Sequence, residues 1–246
     1  MENKLFSHVA TAYAKARPTY SEEYIHQVPQ NLTIAEFGAG TGKLTKQLLE
    51  TCHPKHYVAI EPNQEMVVHL KQLQKNHRLT ILQESAEHNS VKASSIDLIV
   101  VAQAFHWFDP KMFLEECRRI LVPNGKVHLI WNKRKNTTIN KTCEDLFTKY
   151  CPDFKGFGGG IWRNMTSLDY FFKDTGYTTN VYDHPLLYDK EAFITRNLSG
   201  SYIPTENTDT YMLIKEELED IYIEFLKNNT ITLDNEVVVY QNIKNF

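Results

Sequence analysis

Residues 34–42 read Ile-Ala-Glu-Phe-Gly-Ala-Gly-Thr-Gly, an apolar run that ends in three alternating glycines. This order is typical of a buried strand that turns directly into a helix. Glycines at such a turn let the backbone and the helix N-terminus approach a ligand closely. The next apolar run, residues 57–60, is followed by Glu61, which lies 19 residues after Gly42. An acid at about this distance binds a ribose diol in nucleotide-binding α/β folds, so the spacing predicts an adenosine-containing ligand.

Apolar strands and amphipathic helices alternate from about residue 34 to residue 132. Predicted strands cover residues 33–37, 57–60, 79–83, 96–102 and 126–131, and predicted helices cover residues 43–50, 64–75 and 110–121. The alternation indicates an α/β fold in which helices cover both faces of a mainly parallel sheet. Asp109-Pro110 predicts the start of the third helix, and Pro123-Asn124-Gly125 predicts the turn that ends it.

The remainder of the chain has a less regular pattern. Residues 4–28 are helical and aromatic in character, residues 167–175 predict a helix that stops at Gly176, and residues 177–183 and 237–240 predict strands. Residues 190–229 are mostly helical, and their apolar stripe consists of Leu213, Ile214, Leu218, Ile221, Phe225 and Leu226. Helical segments between two late strands indicate a helical cap over the ligand-binding end of the sheet.

Composition excludes several classes of protein. The net charge of −3 provides no basic field for nucleic acid. No segment approaches the ~20 apolar residues of a membrane span, and the N-terminus lacks the apolar stretch of a signal peptide. The four cysteines form no C-x-x-C pair, and His53 and His56 lack a clustered third ligand, so we expect reduced thiols and no metal. We expect a cytoplasmic protein, a monomer or weak homodimer, without nucleic-acid or membrane partners.

The segment after the fourth predicted strand carries the most specific motif. Residues 102–109 read Ala-Gln-Ala-Phe-His-Trp-Phe-Asp, shortly after Ser-Ile-Asp-Leu at residues 95–98. Together with the glycine turn and Glu61, these segments resemble the class I S-adenosylmethionine-dependent methyltransferases. They are most similar to the small-molecule branch that includes trans-aconitate methyltransferase-like proteins. Residues 12–13 and 17–20 also resemble the N-terminal helix of that branch, and the resemblance covers roughly residues 6–132.

The resemblance implies a Rossmann-like sheet of seven strands in a single methyltransferase domain over residues 1–246. Within it, residues 1–30 would form N-terminal lid helices and residues 31–132 the cofactor-binding core. Residues 133–165 and 189–229 would be cap insertions, and residues 166–188 and 230–246 the closing helix and strands. The implied cofactor is S-adenosyl-L-methionine, with S-adenosyl-L-homocysteine as the product.

Roles for individual positions also follow from the resemblance. The implied cofactor-binding residues of the core are Glu36, Gly38, Ala39, Gly40, Gly42, Glu61, Pro62, Met66, Ser85, Ala86, Glu87, Gln103 and Trp107. Glu61 would hold both ribose hydroxyls, while residues 85–87 would read the adenine edge. Glu84-Ser85 departs from the Asp or Gly that many relatives carry there. Tyr13 would act as a lid residue near the sulfonium, and Arg17 is either a surface cation or a contact to cofactor or substrate.

Candidate substrate contacts come from His106 and from the cap. His106 is the candidate catalytic residue, as a base for a hydroxyl acceptor or as an orienting group for a carboxylate. The other candidate substrate-binding residues are Trp131, Arg134, Arg163, Arg196 and Tyr202. An arginine can clamp a carboxylate through a bidentate fork, although a surface ion pair is the more common role of a single arginine.

The predicted function is methyl transfer from S-adenosylmethionine to an oxygen, nitrogen or carbon nucleophile of a small molecule, such as a carboxylate or hydroxyl. Methylation of RNA or protein and non-catalytic S-adenosylmethionine binding stay open as alternatives. A nicotinamide dehydrogenase ranks last, because the glycines follow G-x-G-x-G instead of G-x-G-x-x-G. Gly42-Lys43-Leu44 also lacks the Ser or Thr that follows the lysine of a P-loop.

Overall fold

The structure is a computed structural model that describes residues 18–157 and 165–246. The predicted roles of Tyr13, Arg17 and Arg163 lie outside the described residues. So does most of the helical segment predicted at residues 4–28.

Nine strands and eight α-helices lie within the described residues. The strands are β1 (Thr33–Phe37), β2 (His56–Ile60), β3 (Leu79–Leu82), β4 (Ile96–Ala102), β5 (Leu121–Arg134), β6 (Tyr177–Asp183), β7 (Leu186–Tyr188), β8 (Ile231–Leu233) and β9 (Asn235–Asn242). The helices are α1 (Glu22–Gln27), α2 (Lys43–Thr51), α3 (Gln64–Leu70), α4 (Pro110–Ile120), α5 (Thr138–Tyr150), α6 (Met165–Phe171), α7 (Lys190–Leu198) and α8 (Asp209–Phe225). Short 3-10 helices cover Lys71–Leu73 and Phe105–Trp107.

These elements fall into two compact units. The sheet unit contains the described residues 19–132, 165–182 and 237–246. The helical unit contains the described residues 133–157 and 183–236, together with Pro18.

A seven-stranded sheet with the order β3-β2-β1-β4-β5-β9-β6 organises the sheet unit. β1 pairs in parallel with both β2 and β4, and β3 and β5 extend the parallel region on either side. The strand order therefore reverses between β1 and β4, and ligands of open α/β sheets bind at the carboxyl ends of strands at such a point. The Rossmann-like α/β fold predicted from the sequence is confirmed.

Helices cover both faces of this sheet, and the alternation of side chains along β1 explains why. Phe37 points to one face, where its ring lies 5.2 Å from that of Phe113 in α4, and Phe113 stacks on Phe171 in α6. Ile34 belongs to the core on the other face, which includes Leu48 of α2. Successive strand residues face opposite sides, so a strand buried on both sides reads as a continuous apolar run.

Predicted strand bounds agree at β1, β4 and β6, but the prediction for β5 was too short. From Ile96 to Leu98, β4 advances two residues, while β5 advances five, from Leu121 to Lys126. The predicted turn at residues 123–125 is therefore a bulge inside β5, where Asn124 has a φ of 69°. Extra residues on one strand leave the flanking pairs intact, so the strand resumes after the bulge.

Helix bounds differ mainly at the C-termini. The second helix, predicted to run to residue 75, ends at Leu70 and tightens into the 3-10 turn Lys71–Leu73. Asp109 caps α4 as predicted, because its Oδ1 accepts from the backbone N–H groups of Lys111 and Met112. α6 ends at Phe171, before the predicted end at residue 175.

The helical unit has its own apolar core. α5, α7 and α8 contribute Phe147, Phe193 and Leu218, and the antiparallel pair β7–β8 contributes Ile231. The sequence reading missed α5, β7 and β8. Of the predicted apolar stripe, Leu213 in α8 and Leu226 directly after it are 46% and 40% exposed, whereas Ile214, Leu218 and Ile221 are buried.

All four cysteines, Cys52, Cys117, Cys143 and Cys151, are buried free thiols, as predicted. Among the described helices, none combines the length and apolarity needed to cross a bilayer.

Candidate functional site

The glycine turn leaves β1 at the carboxyl edge of the sheet. Gly38, Gly40 and Gly42 have φ values of 68°, 58° and 84°, in the region that L side chains rarely adopt. A Cβ on Gly38 would lie 2.4 Å from the Cβ of Ala104, and one on Gly42 would lie 2.7 Å from Leu70. A Cβ on Gly40 would meet nothing within 4 Å. The outer glycines thus permit packing, whereas Gly40 borders open space that a ligand can occupy.

Hydrogen bonds fix the turn to the end of β2. The backbone N–H groups of Gly38 and Ala39 donate to the carbonyl of Ile60 at 2.9 and 3.1 Å. Glu61, only 7% exposed, accepts from Gly40 N–H through Oε2 at 2.8 Å and from Asn63 N–H through Oε1 at 2.9 Å. The carboxylate predicted to bind ribose therefore also holds the glycine turn in place.

Glu61 retains capacity for a ligand. Burial raises the pKa of its carboxyl group, and the two backbone N–H donors partly offset that rise. Each carboxylate oxygen offers two acceptor positions, and the protein occupies one on each oxygen. The remaining positions suit two neighbouring hydroxyl donors, which is the chemistry of a ribose diol.

Glu36 braces the turn from within the core. Its side chain is 2% exposed, and its Oε2 accepts from Thr45 Oγ1 of α2 at 2.5 Å and from the Tyr57 hydroxyl of β2 at 2.7 Å. Burial raises the pKa of this carboxyl group to about 7, although both hydrogen bonds act in the opposite direction. The acid thus connects three elements that meet at the turn.

The segment after β3 is held mainly by local bonds. Ser85 Oγ accepts from His88 N–H at 3.1 Å, and Ala86 is buried. Glu87 Oε1 accepts from the backbone N–H of Asp109 at 3.0 Å, which links this loop to the start of α4. Pro62 and Met66, the two other predicted cofactor-binding residues after β2, differ in burial. Pro62 is exposed, whereas Met66 is buried in α3.

Gln103 follows β4 in a left-handed conformation, with a φ of 57°. Its backbone N–H donates to the carbonyl of Ile130 at 2.9 Å, and its Nε2 donates to the carbonyl of Asn132 at 3.2 Å. A non-glycine residue in this conformation is uncommon, and such residues cluster at functional sites. These bonds align the ends of β4 and β5.

His106 and Trp107 lie in the short helix that follows. Phe105 anchors this helix in the core, with its ring 5.2 Å from that of Phe171. The His106 ring lies 4.8 Å from that of Trp107, and His106 Nδ1 is shielded from solvent. Trp107 itself is 57% exposed. The pair thus presents an imidazole and an accessible aromatic surface next to Gln103.

Trp131 contributes a buried donor at the end of β5. Its side chain is 3% exposed and packs against Phe105 and Tyr240. Its Nε1–H is buried and has no hydrogen-bond acceptor in the described part of the chain. A buried donor without an acceptor costs about 1–3 kcal/mol, and Trp131 directly follows Ile130, whose carbonyl accepts from the Gln103 N–H.

The remaining candidates lie in the helical unit. Arg134 Nη2 donates to Asn197 Oδ1 at 3.0 Å, and its guanidinium carbon lies 3.7 Å from the ring centroid of Phe157. The Tyr202 ring packs against those of Phe147 and Phe154. Arg196 is partly buried on α7, next to Asn197.

Sequence reasoning missed Asn197. This polar residue lies four positions after Phe193, on the buried face of α7, and such a placement was the available signal.

The geometry at the glycine turn fits S-adenosyl-L-methionine. Open space at Gly40 permits close backbone approach, Glu61 has spare acceptor positions, and the N-terminus of α2 follows the turn directly. A cavity of about 330 Å³ at the opposite ends of β4 and β5, near Ser94 and Phe246, contains none of these residues. Across residues 18–157 and 165–246, no three His, Cys, Asp or Glu side chains are grouped to hold a metal.

Comparison with known proteins agrees with this geometry. A family model described as a methyltransferase domain matches residues 35–129. An uncharacterized methyltransferase-like protein of Schizosaccharomyces pombe is 31% identical over 172 residues, which cover 66% of this chain and 65% of the relative. The match thus spans slightly less than two thirds of that relative.

Solved structures share the fold. One from Anaeromyxobacter dehalogenans, described as a candidate type II methyltransferase, has a TM-score of 0.63 and 17% identity over 94% of this chain and 99% of that chain. A phosphoethanolamine N-methyltransferase of Haemonchus contortus, solved with phosphomonomethylethanolamine and S-adenosylhomocysteine, has a TM-score of 0.55 and 11% identity, over 99% of this chain and 60% of that chain. At these sequence identities, the structural similarity shows only that the fold is shared.

Proposed function

We propose that this protein, whose core belongs to the class I S-adenosyl-L-methionine-dependent methyltransferases, transfers a methyl group from that cofactor to a small-molecule acceptor. The bound cofactor supplies a methyl group already activated by a positively charged sulfur. The protein's own residues then need to align the acceptor and exclude water, and alignment alone can supply effective molarities of roughly 10⁵–10⁸ M.

One observation carries the proposal: Gly40 borders open space while its N–H group is bonded to Glu61. The two carboxylate oxygens of Glu61 can accept hydrogen bonds from the hydroxyl groups of a nucleoside's ribose. The glycine backbone beside them lets the rest of the ligand approach closely. Since the turn offers neither a P-loop lysine-serine pair nor the G-x-G-x-x-G spacing, it favours a ligand without a phosphate chain.

Residues at the ends of β4 and β5 would contact the acceptor. Trp131 Nε1–H would donate a hydrogen bond to an oxygen of the molecule that receives the methyl group, and His106 would orient the reacting group of that molecule. A carboxylate is already nucleophilic, so its methylation needs no base. With a hydroxyl acceptor, His106 would accept the proton.

A small-molecule acceptor fits the charge of the chain. The net charge of −3 gives no general attraction for nucleic acid. We also propose a cytoplasmic protein that is a monomer or weak homodimer. The similarity to trans-aconitate methyltransferase-like proteins stays a prediction about the branch.

The test is incubation of the protein with methyl-labelled S-adenosylmethionine and a fractionated metabolite pool that includes di- and tricarboxylic acids. We expect label in a small-molecule fraction, detected by mass spectrometry, and its loss with Glu61→Ala. Label in an added RNA or protein fraction would favour the macromolecular alternative. Cofactor binding without transfer to any fraction would indicate a non-catalytic binding protein.

A further inference from the structure

The core of the sheet unit holds Glu36 almost out of reach of solvent, with a side chain that is 2% exposed. Its Oε2 accepts from the Thr45 hydroxyl of α2 at 2.5 Å and from the Tyr57 hydroxyl of β2 at 2.7 Å. A hydroxyl group can donate to a carboxylate and can also accept from a protonated carboxyl group. These two partners therefore suit both charge states of Glu36.

Glu116 of α4 shows how the same unit holds an acid that is paired with a cation. The Arg119 guanidinium donates to both oxygens of this carboxylate, from Nη2 at 2.6 Å and from Nε at 2.9 Å. Such a bidentate pair supplies a positive charge opposite the acid, which the hydroxyl partners of Glu36 do not. Glu116, with a side chain that is 16% exposed, is therefore a matched control for a substitution at Glu36.

The groups that act electrostatically on Glu36 lie on the elements packed around it. Burial raises the pKa of Glu36 to about 7, and the carboxylate of Glu61 acts in the same direction, against the hydrogen bonds from Thr45 and Tyr57. Tyr57 and Tyr24 of α1 are phenols whose own pKa burial raises well above the usual value of 10. Both phenols are therefore neutral near pH 7, and Thr45 is uncharged, so Glu61 is the neighbour that carries charge.

Glu36 is also coupled to the edge of the sheet where the ligand is proposed to bind. Glu61, whose carboxylate acts on Glu36, accepts from the N–H group of Gly40, and Gly40 borders open space. Thr45, which donates to Glu36, lies in the first turn of α2, directly after the glycine turn. A positive charge placed at this edge stabilises the ionised form of a nearby acid, whereas a neutral group does not.

We propose that Glu36 lets the site discriminate between the cationic S-adenosyl-L-methionine and S-adenosyl-L-homocysteine, whose sulfur is neutral, because the cation favours the ionised form of Glu36. The inference rests on the proposed function, since it concerns the cofactor of that reaction. When the cation binds, the proton of the Glu36 carboxyl group passes to solvent. Methyl transfer leaves the sulfur neutral, and a proton then returns to Glu36. Glu36 thus weakens retention of the product relative to the cofactor.

The relative affinity for the two ligands should therefore depend on pH. Since binding of the cation releases a proton, the ratio of S-adenosylmethionine affinity to S-adenosylhomocysteine affinity should rise with pH as Glu36 ionises, around its pKa of about 7. Titration of the amino and carboxyl groups that both ligands share cancels in this ratio. We expect a rise of about threefold or more, because one unit of difference in pKa between the two complexes corresponds to about tenfold.

Isothermal titration calorimetry of the full chain with each ligand, at several pH values from about 5.5 to 8, measures this ratio across the pKa of Glu36. Repetition in buffers of different ionisation enthalpy counts the protons released. S-adenosylmethionine should release more protons than S-adenosylhomocysteine from the natural protein near pH 7. Glu36→Gln keeps an oxygen that accepts from both hydroxyls but cannot ionise, so it should abolish the difference in protons and the pH dependence of the ratio. Glu116→Gln should leave both unchanged.

Tyr57→Phe distinguishes charge discrimination from a structural role of Glu36. Because the hydrogen bond from Tyr57 lowers the pKa of Glu36, its loss should move the rise in the affinity ratio to higher pH. A midpoint that does not move would overturn the inference, as would a pH-dependent ratio that persists in Glu36→Gln. If the natural protein binds both ligands with a constant ratio, only this inference fails. If it binds neither ligand, the proposed function fails as well.

Discussion

The glycine turn of the sheet unit and the surroundings of Arg134 in the helical unit stabilise a buried charged group through different contacts. Glu61 receives a backbone N–H bond on each oxygen, from Gly40 and Asn63. Arg134 Nη2 donates to Asn197 Oδ1, while the buried Nη1 forms no hydrogen bond within the described part of the chain. The protein's own backbone holds the Glu61 carboxylate, whereas no carboxylate among the described residues forms an ion pair with Arg134. The sheet unit thus supports its buried charge with backbone donors, whereas an amide side chain and an aromatic ring contact the guanidinium in the helical unit.

The largest expected effect is on stability, and it distinguishes Gly38 from Gly40 in the glycine turn. Gly38→Ala places a Cβ 2.4 Å from that of Ala104 at a positive φ, whereas Gly40→Ala meets only open space. We expect Gly38→Ala to lower the free energy of unfolding by roughly 2–5 kcal/mol and Gly40→Ala by about 1–2 kcal/mol. Denaturant unfolding measures both, and calorimetry with S-adenosylhomocysteine should show weaker binding for Gly40→Ala. Equal destabilisation by the two variants would show that Gly40 does not differ from Gly38 in facing open space for a ligand.

The acid beneath the turn predicts a pH dependence of stability. Burial raises the pKa of Glu36 from 4.5 to about 7, so the folded protein binds this proton more tightly than the unfolded chain. Its contribution is fully present below about pH 4.5 and is lost as the pH rises through about 7, which amounts to about 3 kcal/mol. Glu36→Gln should flatten the decline in unfolding free energy between pH 5 and 8. A slope identical to that of the natural protein would contradict this assignment.

Glu61→Gln removes the negative charge that accepts hydrogen bonds from the backbone N–H groups of Gly40 and Asn63. One end of the new side chain is an NH₂ group facing a backbone N–H, and the charge that would accept the ribose hydroxyls is gone. Loss of one charged hydrogen-bond partner should weaken S-adenosylhomocysteine binding by about 1.5–3 kcal/mol, measured by calorimetry. The nearby Glu65→Gln, on an exposed residue, serves as the control. Unchanged affinity in Glu61→Gln would remove Glu61 from the cofactor site.

Trp131→Phe gives the smallest expected change in stability. The substitution removes a buried N–H that has no acceptor among the residues the structure describes, but it leaves a small void. These effects oppose one another, so the unfolding free energy should change by no more than about 1 kcal/mol. Methyl transfer should nevertheless fall, because the acceptor loses a donor. A stability loss well above this range, with normal turnover, would make Trp131 a purely structural residue.

The glycine turn and the surroundings of Arg134 also differ in how much of each can be predicted from the sequence. The glycine turn, Glu61 and the succession of the first five strands along the chain follow from local patterns and short spacings, and the structure confirms the α/β fold. Asn197 and Phe157 lie 63 and 23 residues from Arg134, so no local pattern links them. The bulge in β5 was missed for a related reason: Pro123-Asn124-Gly125 favours a turn locally, and only pairing with β4 shows that the strand continues.

A crystal structure of the protein with S-adenosylhomocysteine would show directly whether Glu61 and the glycine turn bind the ribose of the cofactor. We expect both ribose hydroxyls within hydrogen-bond distance of the Glu61 carboxylate, with the ligand passing beside Gly40. A nucleoside bound elsewhere, or ribose hydroxyls that contact other residues while Glu61 holds only its two backbone partners, would contradict this expectation.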